Sequence, residues 1–398
     1  MTHQIQQFHV KGGPQYGREN LPKLRASLAQ AGLDGFLIPH EDEYNNEYLP
    51  ANAERLAWAT GFTGSAGAAA VLGDTAAVFV DGRYTEQVKS QVDNSLFDYE
   101  DLVKTGMAGW IRKTAKPGQT IGYDPRLHSP DALTRLQEAA DKTGAKLVAV
   151  ETNPIDQAWE NRPAAPLASV HPQPLDVAGE AHGDKRKRIG ADVKEDGADA
   201  AVITDPASIA WLFNIRGGDV ACTPLPLSSA IIEPSGQATL FINEAKLTDA
   251  TRSHLGNEVA IRPETEFADG LKALSGKTVR VDPATASVWV VQQLEGADAK
   301  VQRKPDPVAL PKACKNPVEV EGSRQAHLRD GAAMVRFLAW LDTEAPKGQL
   351  TEIDVVTALE GFRRDTNALQ DISFETISGA GPNGAIVHYR VDDNTNRA

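Results

Sequence analysis

The chain has 398 residues, 41% of them apolar and 24% charged, and a formal charge of −13. That length exceeds one ordinary core, since domains cluster near roughly 100–200 residues, and the composition is that of a soluble, folded protein. The acidic balance disfavours nucleic-acid binding, no apolar run nears the roughly 20 residues a membrane span needs, and the start Met1-Thr-His-Gln-Ile-Gln-Gln7 has no signal-peptide core.

Leu21, Leu24, Leu28 and Ala31 recur at helical spacing before Gly32, and Gly35-Phe-Leu-Ile-Pro39 follows as a buried strand. Residues 66–72 and 76–81 read as strands joined across Gly73-Asp74, with a helix from about Thr85. Residues 121–124 form a strand. Ser129-Pro130-Asp131 then opens a helix, the serine capping free amides and the proline losing nothing at the first position. Gly144 ends it, and 146–150 is the next strand. Alternating helices and strands make this an α/β domain.

A proline-rich linker follows Asn153-Pro-Ile-Asp156: Arg162-Pro-Ala-Ala-Pro166, then Pro172 and Pro174. The pattern then restarts. A charged helix over about 184–195 leads to Gly197-Ala-Asp-Ala-Ala-Val-Ile203, and 228–232 and 238–242 pair across Pro234-Ser-Gly236. Helix, Gly-x-Asp turn, strand and hairpin therefore occur twice in one order, which implies two similar α/β domains in tandem. A strand at 279–282 and a helix around 287–294 close the second. After Lys304-Pro-Asp-Pro307 and Pro311 the chain turns helical from Asn316. Val335, Leu338 and Leu341, widened by Phe337 and Trp340, give an apolar stripe, and Thr351-Glu-Ile-Asp354 has capping-box spacing. The expected division is 1–156, 157–315 and 316–398.

Cys222 and Cys314 are the only cysteines and fit no zinc spacing, so a reducing, cytoplasmic setting is expected. His388 ends a run, Gly384-Ala-Ile-Val387, read as a strand with Ile386 and His388 on one face. It is either a core or edge histidine or, because the Pro382-Asn383-Gly384 turn precedes it, part of a site. Gly61-Phe-Thr-Gly-Ser-Ala-Gly67 leads into strands, so its glycines serve close packing and not phosphate binding. His40-Glu-Asp-Glu-Tyr44 reads as a solvated loop and not a metal site. In Asp81-Gly-Arg-Tyr84, Asp81 caps a helix or Arg83 reaches a carboxylate or carbonyl. Lys185-Arg-Lys-Arg188 reads as a solvated helix face. Residues 205–219 read as an amphipathic helix ending at a glycine pair, with Trp211 and Phe213 packing and Arg216 pairing with Asp219.

Several of these segments together resemble one family. They are Gly61–Gly67, Asp81-Gly-Arg-Tyr84, Asn153-Pro-Ile-Asp156 with Trp159 and Arg162-Pro163, and Ile209-Ala-Trp-Leu-Phe-Asn-Ile-Arg-Gly-Gly-Asp219. Lys315-Asn316 with Glu319, Glu321 and Arg324, and Gly381-Pro-Asn-Gly-Ala-Ile-Val-His-Tyr389, complete the set. The chain resembles the three-domain, cytosolic-type aminopeptidases P (Xaa-Pro aminopeptidases). The resemblance implies an α/β fold: two tandem creatinase-like N-terminal domains, then the start of an α+β pita-bread catalytic domain. It implies removal of an N-terminal residue that precedes proline, two divalent metals, usually manganese (Mn2+), and a homodimer. It assigns His388 a place beside the metals in contact with substrate, and Arg83 a place toward the substrate end of the site.

The family's metal ligands, two aspartates, a histidine and two glutamates, all follow this histidine in sequence. The chain is therefore expected to lack them, to bind no metal itself and to be inactive alone. The helices around 334–340 and 355–362 are expected to expose an apolar face and promote association. A second expectation, from another class, is a metal-free pita-bread relative that binds peptides as a chaperone-like scaffold.

Overall fold

Alternation within Gly35–Pro39 divides the core of the first unit in two. Phe36 and Ile38 pack on one side with Leu21, Leu24 and Leu28. Leu37 packs on the other with Trp110, Ile111 and Leu136, as the two-residue period of a strand requires. The computed structural model describes residues 4–398. Its first sheet contains β1 (Gly35–Pro39), β2 (Gly67–Leu72), β3 (Thr75–Val80), β4 (Asp98–Asp101), β5 (Thr120–Tyr123) and β6 (Lys146–Ala149). The second contains β7 (Ala200–Ile203), β8 (Ser229–Ile232), β9 (Ala238–Phe241), β10 (Val259–Arg262), β11 (Thr278–Val281) and β12 (Lys300–Arg303).

The strand orders are β4-β3-β2-β1-β5-β6 and β10-β9-β8-β7-β11-β12. Each sheet holds one antiparallel three-strand core and parallel strands at its margins. The second is thus the first repeated strand for strand, which bears out the tandem reading. Among the elements that carried no sequence signal are β4, β10, β12 and the helix Gly106–Thr114. Asp98-Tyr-Glu-Asp101 and Lys300-Val-Gln-Arg303 are short and charged, as edge strands are, and show no clear apolar alternation.

Three expectations are corrected in the second unit. The helix read over 205–219 is only Pro206–Phe213. Asp205 caps it through Ala207 N–H and Ser208 N–H, and Asn214 ends it in the left-handed conformation. Ile215–Arg216 then pairs with His171–Pro172. The helix is buried all round and not amphipathic. Arg216 does not pair with Asp219: its Nη1 donates to the carbonyls of Ala210 and Ile215. Asp219 instead meets Lys246 at 2.8 Å, both buried. The Lys185–Arg188 run is not a solvated face. Lys187 and Arg188 are exposed, but Lys185 and Arg186 are 1% and 2% exposed, because they continue the buried stripe of Ile189 and Val193.

Lys185 Nζ lies 4.0 Å over the Trp211 ring and donates to Trp211 O and Asn214 Oδ1. Burial lowers this ammonium to about 8. The helix Pro317–Glu344 starts at the same place. Asn316 and Glu319 form its capping box, Glu319 Oε1 accepts from Trp211 Nε1 at 3.0 Å, and Asn316 Nδ2 donates to Ala178 O.

Beyond that helix lie the helix Glu352–Arg364 and irregular chain. Their small core is Val356, Tyr389 and Val391, joined by Phe8, Ile353 and Ile386. The N-terminal segment belongs to this assembly. The Glu360 carboxylate accepts from Ile5 N–H and Gln6 N–H, Asp393 N–H donates to Phe8 O, and Arg390 donates to the carbonyls of Gln7 and His9. The expected apolar face is present on one helix: Leu328, Val335 and Leu338 are exposed. The other helix is mostly covered, with Phe362 set against Phe337 and Trp340.

Replacing Lys246 with Met would strand the Asp219 carboxylate inside the second unit, where it also accepts from Ala168 N–H and Leu227 N–H. A loss of about 3–5 kcal/mol is expected, read as faster amide exchange in β8 and β9, and Asp219→Asn added on top should recover part of it.

Candidate functional site

Asp81 leaves β3 and closes a tight turn. Its Oδ1 accepts from Arg83 N–H, and both its oxygens accept from the Arg83 guanidinium at 2.7–3.1 Å. Only one of the two alternatives for this motif holds: Arg83 reaches the Asp81 carboxylate, whereas Asp81 caps no helix, because 81–86 is turn and the next helix, Gln87–Gln91, begins only after it. These hydrogen bonds from Arg83, with the nearby His388 contributing, hold the Asp81 carboxyl below the usual carboxylate range. Arg83 lies 5.2 Å over the Tyr84 ring and is about one-third exposed.

Tyr84 is buried. It meets Phe62 edge-on at 5.6 Å, and a Cβ on Gly64 would sit 2.8 Å from its Cδ1 and 2.4 Å from Phe62 Cζ. The Gly61–Gly67 segment therefore serves close packing, as its composition implied, and what it packs is this tyrosine. The phenol oxygen reaches outward to Ser65 Oγ at 2.8 Å, Ser65 N–H at 3.2 Å and His388 Nδ1 at 3.3 Å. The His388 ring stands edge-on to Tyr84 at 5.8 Å. Two side chains 304 residues apart in sequence thus meet, and Arg83 flanks them.

The strand read before His388 is absent. Gly381–Ala385 is a 3-10 turn, and amide bonds from Asn383 to Ala380 O, Ile386 to Asn383 O and Tyr389 to Ile386 O continue the turning path. A strand needs a neighbour to satisfy its ladder, and the described residues place none alongside. Ile386 and His388 consequently do not share a face: Ile386 joins the small core, while His388 is exposed. His388 adopts φ +55°, in the left-handed region where histidine is among the enriched residues.

What fixes this path is Glu352, a residue the sequence reading passed over. It is buried and accepts from Ala380 N–H at 2.6 Å, Asn383 Nδ2 at 3.0 Å, Tyr389 Oη at 2.9 Å and Arg397 N–H at 3.2 Å. Burial works to raise its pKa, but these bonds outweigh it and hold the carboxyl below its ordinary value. Burial, together with Glu352, pushes the Tyr389 phenol up to about 12. The only sequence signal for Glu352 was an acid in a helix's first turn, which ordinarily suggests no more than a favourable dipole contact.

The His40–Tyr44 loop is not solvated. His40 Nε2 bonds Glu47 O, Asp42 is buried and accepts from Tyr44 N–H and Asn46, and Glu43 pairs with Arg55 at 2.7 Å. Asp42, Glu43 and Tyr44 line a cavity of ≈ 370 Å³ between the two α/β units, opposite Lys246 and Trp289. Asp42 and Glu43 are bonded within the protein. Among the described residues no group of three or more His, Cys, Asp or Glu side chains could hold a metal. The residues present do not compose a two-metal centre. No helix among the described residues is long and apolar enough to cross a membrane.

Creatinase/Prolidase N-terminal domain models match residues 21–157 and 161–319, and the Metallopeptidase family M24 model matches 321–398. The chain is thus matched along most of its length by creatinase/prolidase N-terminal and M24 domain models. It is homologous to proteins named probable Xaa-Pro aminopeptidase P. With that of Talaromyces marneffei it shares 34% identity, covering 94% of this chain and 58% of the relative, and with that of Aspergillus niger 36%, covering 94% and 62%. The chain thus spans about three fifths of the length of these relatives. In structure it matches a Caenorhabditis elegans X-prolyl aminopeptidase, described as a cytosolic enzyme with a di-nuclear active site. The TM-score is 0.88 and the identity 28%, over 96% of this chain and 65% of the other. In this M24 homologue the 380–397 segment, carrying His388, hangs on Glu352.

The pKa of the Glu352 carboxyl is depressed on folding, so its stabilisation is present above the unfolded glutamate value, about 4.3, and is lost as pH falls through the lower folded value. Amide exchange at Ala380 and Arg397 is therefore expected to be slow near pH 6 and to lose protection selectively below about pH 4. Glu352→Ala should abolish that protection at both pH values.

Proposed function

We propose that this sequence is the N-terminal portion of a metal-dependent Xaa-Pro aminopeptidase, hydrolysing peptides that carry proline in second position. The observation that carries the reading is the meeting of His388 with the Asp81–Tyr84 turn at an exposed edge, in a chain homologous over 94% of its length to proteins of that name. We divide it at 1–156, 157–315 and 316–398.

In this reading His388 contacts substrate and holds or moves a proton at its exposed ring edge. Arg83, pre-oriented by Asp81, binds substrate with the outward side of its guanidinium, whose Nη1 has no protein acceptor among the described residues. The whole protein depends on metal, with two Mn2+ ions proposed, and is a cytoplasmic homodimer acting on neither nucleic acid nor membrane. The description of the Caenorhabditis elegans relative as a cytosolic enzyme with a di-nuclear active site supports the two-metal and cytoplasmic parts. Residues 1–398 alone are proposed to be inactive. The metal-free scaffold is not favoured, because the relatives bear aminopeptidase names.

The test compares the whole protein with residues 1–398 on a short peptide with proline second, with and without Mn2+. The whole protein should cleave only with metal, and His388→Ala should lower kcat by on the order of 10²-fold. Cleavage by residues 1–398 alone would overturn the assignment of inactivity. Peptide binding without cleavage by the metal-loaded whole protein would return the scaffold.

A further inference from the structure

The hydrogen bonds around Tyr84 form a chain that starts at His388 and ends on a carboxylate. Ser65 Oγ donates to Glu47 Oε1 at 2.9 Å, meets Tyr84 Oη at 2.8 Å, and Tyr84 Oη meets His388 Nδ1 at 3.3 Å. Ser65 N–H also donates to Tyr84 Oη at 3.2 Å. We propose that this chain has one direction, imposed from Glu47, and that Glu47, Ser65 and Tyr84 are positioning residues which hold the neutral His388 ring as its Nδ1–H tautomer, with Nε2 open to the exposed side.

The argument is one of counting protons. An ionised carboxylate has none to give, so the Ser65 hydroxyl proton points at Glu47. Ser65 Oγ can then only accept from Tyr84. The phenol has a single proton, and it is now committed to Ser65. Two acceptor positions remain on Tyr84 Oη; Ser65 N–H takes one and His388 takes the other, as a donor through Nδ1–H. Every group is satisfied in this arrangement.

The reverse polarity is not satisfied. If Tyr84 donated to Nδ1, its oxygen would need the Ser65 hydroxyl proton, and the Glu47 carboxylate would face a serine lone pair at 2.9 Å with no hydrogen between them. An anionic carboxylate oxygen and a hydroxyl oxygen that close, with no hydrogen between them, repel, so the forward polarity is favoured. The tautomer of an exposed histidine is ordinarily undetermined; here the second nitrogen's partner fixes it.

The consequence rests on the aminopeptidase reading. Nε2 accepts a hydrogen bond while the ring is neutral, and it donates to developing charge only after taking up a proton at that same atom. The first α/β unit would thus select which nitrogen of a third-unit histidine faces the substrate.

The test is made on the 398-residue chain with 15N-labelled histidine, by two-dimensional 1H–15N correlation of the ring nitrogens at a pH where His388 is neutral. His388→Gln assigns the signals by their loss. In the unaltered chain Nδ1 is expected to have the shift of a protonated nitrogen and Nε2 that of an unprotonated one. Ser65→Ala frees the Tyr84 proton for Nδ1 and should reverse the pattern. Tyr84→Phe should return the ring to the Nε2–H form that histidine favours in water. Glu47→Lys, at an exposed position, places a pure donor at the end of the chain and should reverse the pattern without touching the core. An Nε2–H ring in the unaltered chain would overturn the proposal. So would an Nδ1–H ring unchanged in both Ser65→Ala and Glu47→Lys chains of native circular dichroism. Peptide hydrolysis plays no part in the readout, so failure of the aminopeptidase reading would leave the tautomer result standing, and the converse.

Discussion

A single buried carboxylate holds the end of this structure in place. Residues 376–398 contain no strand and contribute only Ile386, Tyr389 and Val391 to a small core, so packing alone does not define their path. Glu352 gathers two backbone amides, an asparagine amide and a phenol at 2.6–3.2 Å. Each bond to an ionised acceptor is stronger than a neutral one, and each donor would be costly to leave unpaired in the interior. His388 stands one residue before Tyr389, whose phenol is one of those donors. The carboxylate therefore fixes the histidine's backbone, while Tyr84 meets its ring.

The third unit is anchored at both ends of what precedes it. Asn316 and Glu319 tie the start of helix Pro317–Glu344 to Trp211 and Ala178 in the second α/β unit. Residues 4–9 bring the beginning of the chain to Glu360, Arg390 and Asp393. Contacts to two different units constrain orientation as well as position, so the His388 turn is held against the turn that follows β3. The exposed Leu328, Val335 and Leu338 show that helix Pro317–Glu344 relies little on apolar burial within these residues.

The two α/β units were largely legible in the sequence because their central strands and capping signals are local. The β1 run, the β2–β3 and β8–β9 hairpins, and the Ser129 cap all fall within two or three residues of their expected bounds. The edge strands were silent, because charged residues that protect an edge erase the alternation that marks a strand. The Lys185–Arg188 run misled for a related reason: charge suggested solvent, while the positions of Lys185 and Arg186 on the helix dictated burial, with Trp211 and Asn214 partnering Lys185 and Gly236 O and Glu258 partnering Arg186.

The sequence by itself determined the repeated α/β pattern and the resemblance that singled out His388 and Arg83, since each is written in neighbouring residues. Only the tertiary structure decided that Tyr84 touches His388, that Glu352 and not a sheet holds the histidine's turn, and that Asp219 pairs with Lys246 and not Arg216. Those contacts join residues 27 to 304 positions apart. Their partners are chosen by where folded elements leave a buried charge or an unpaired donor, and no local pattern records that choice.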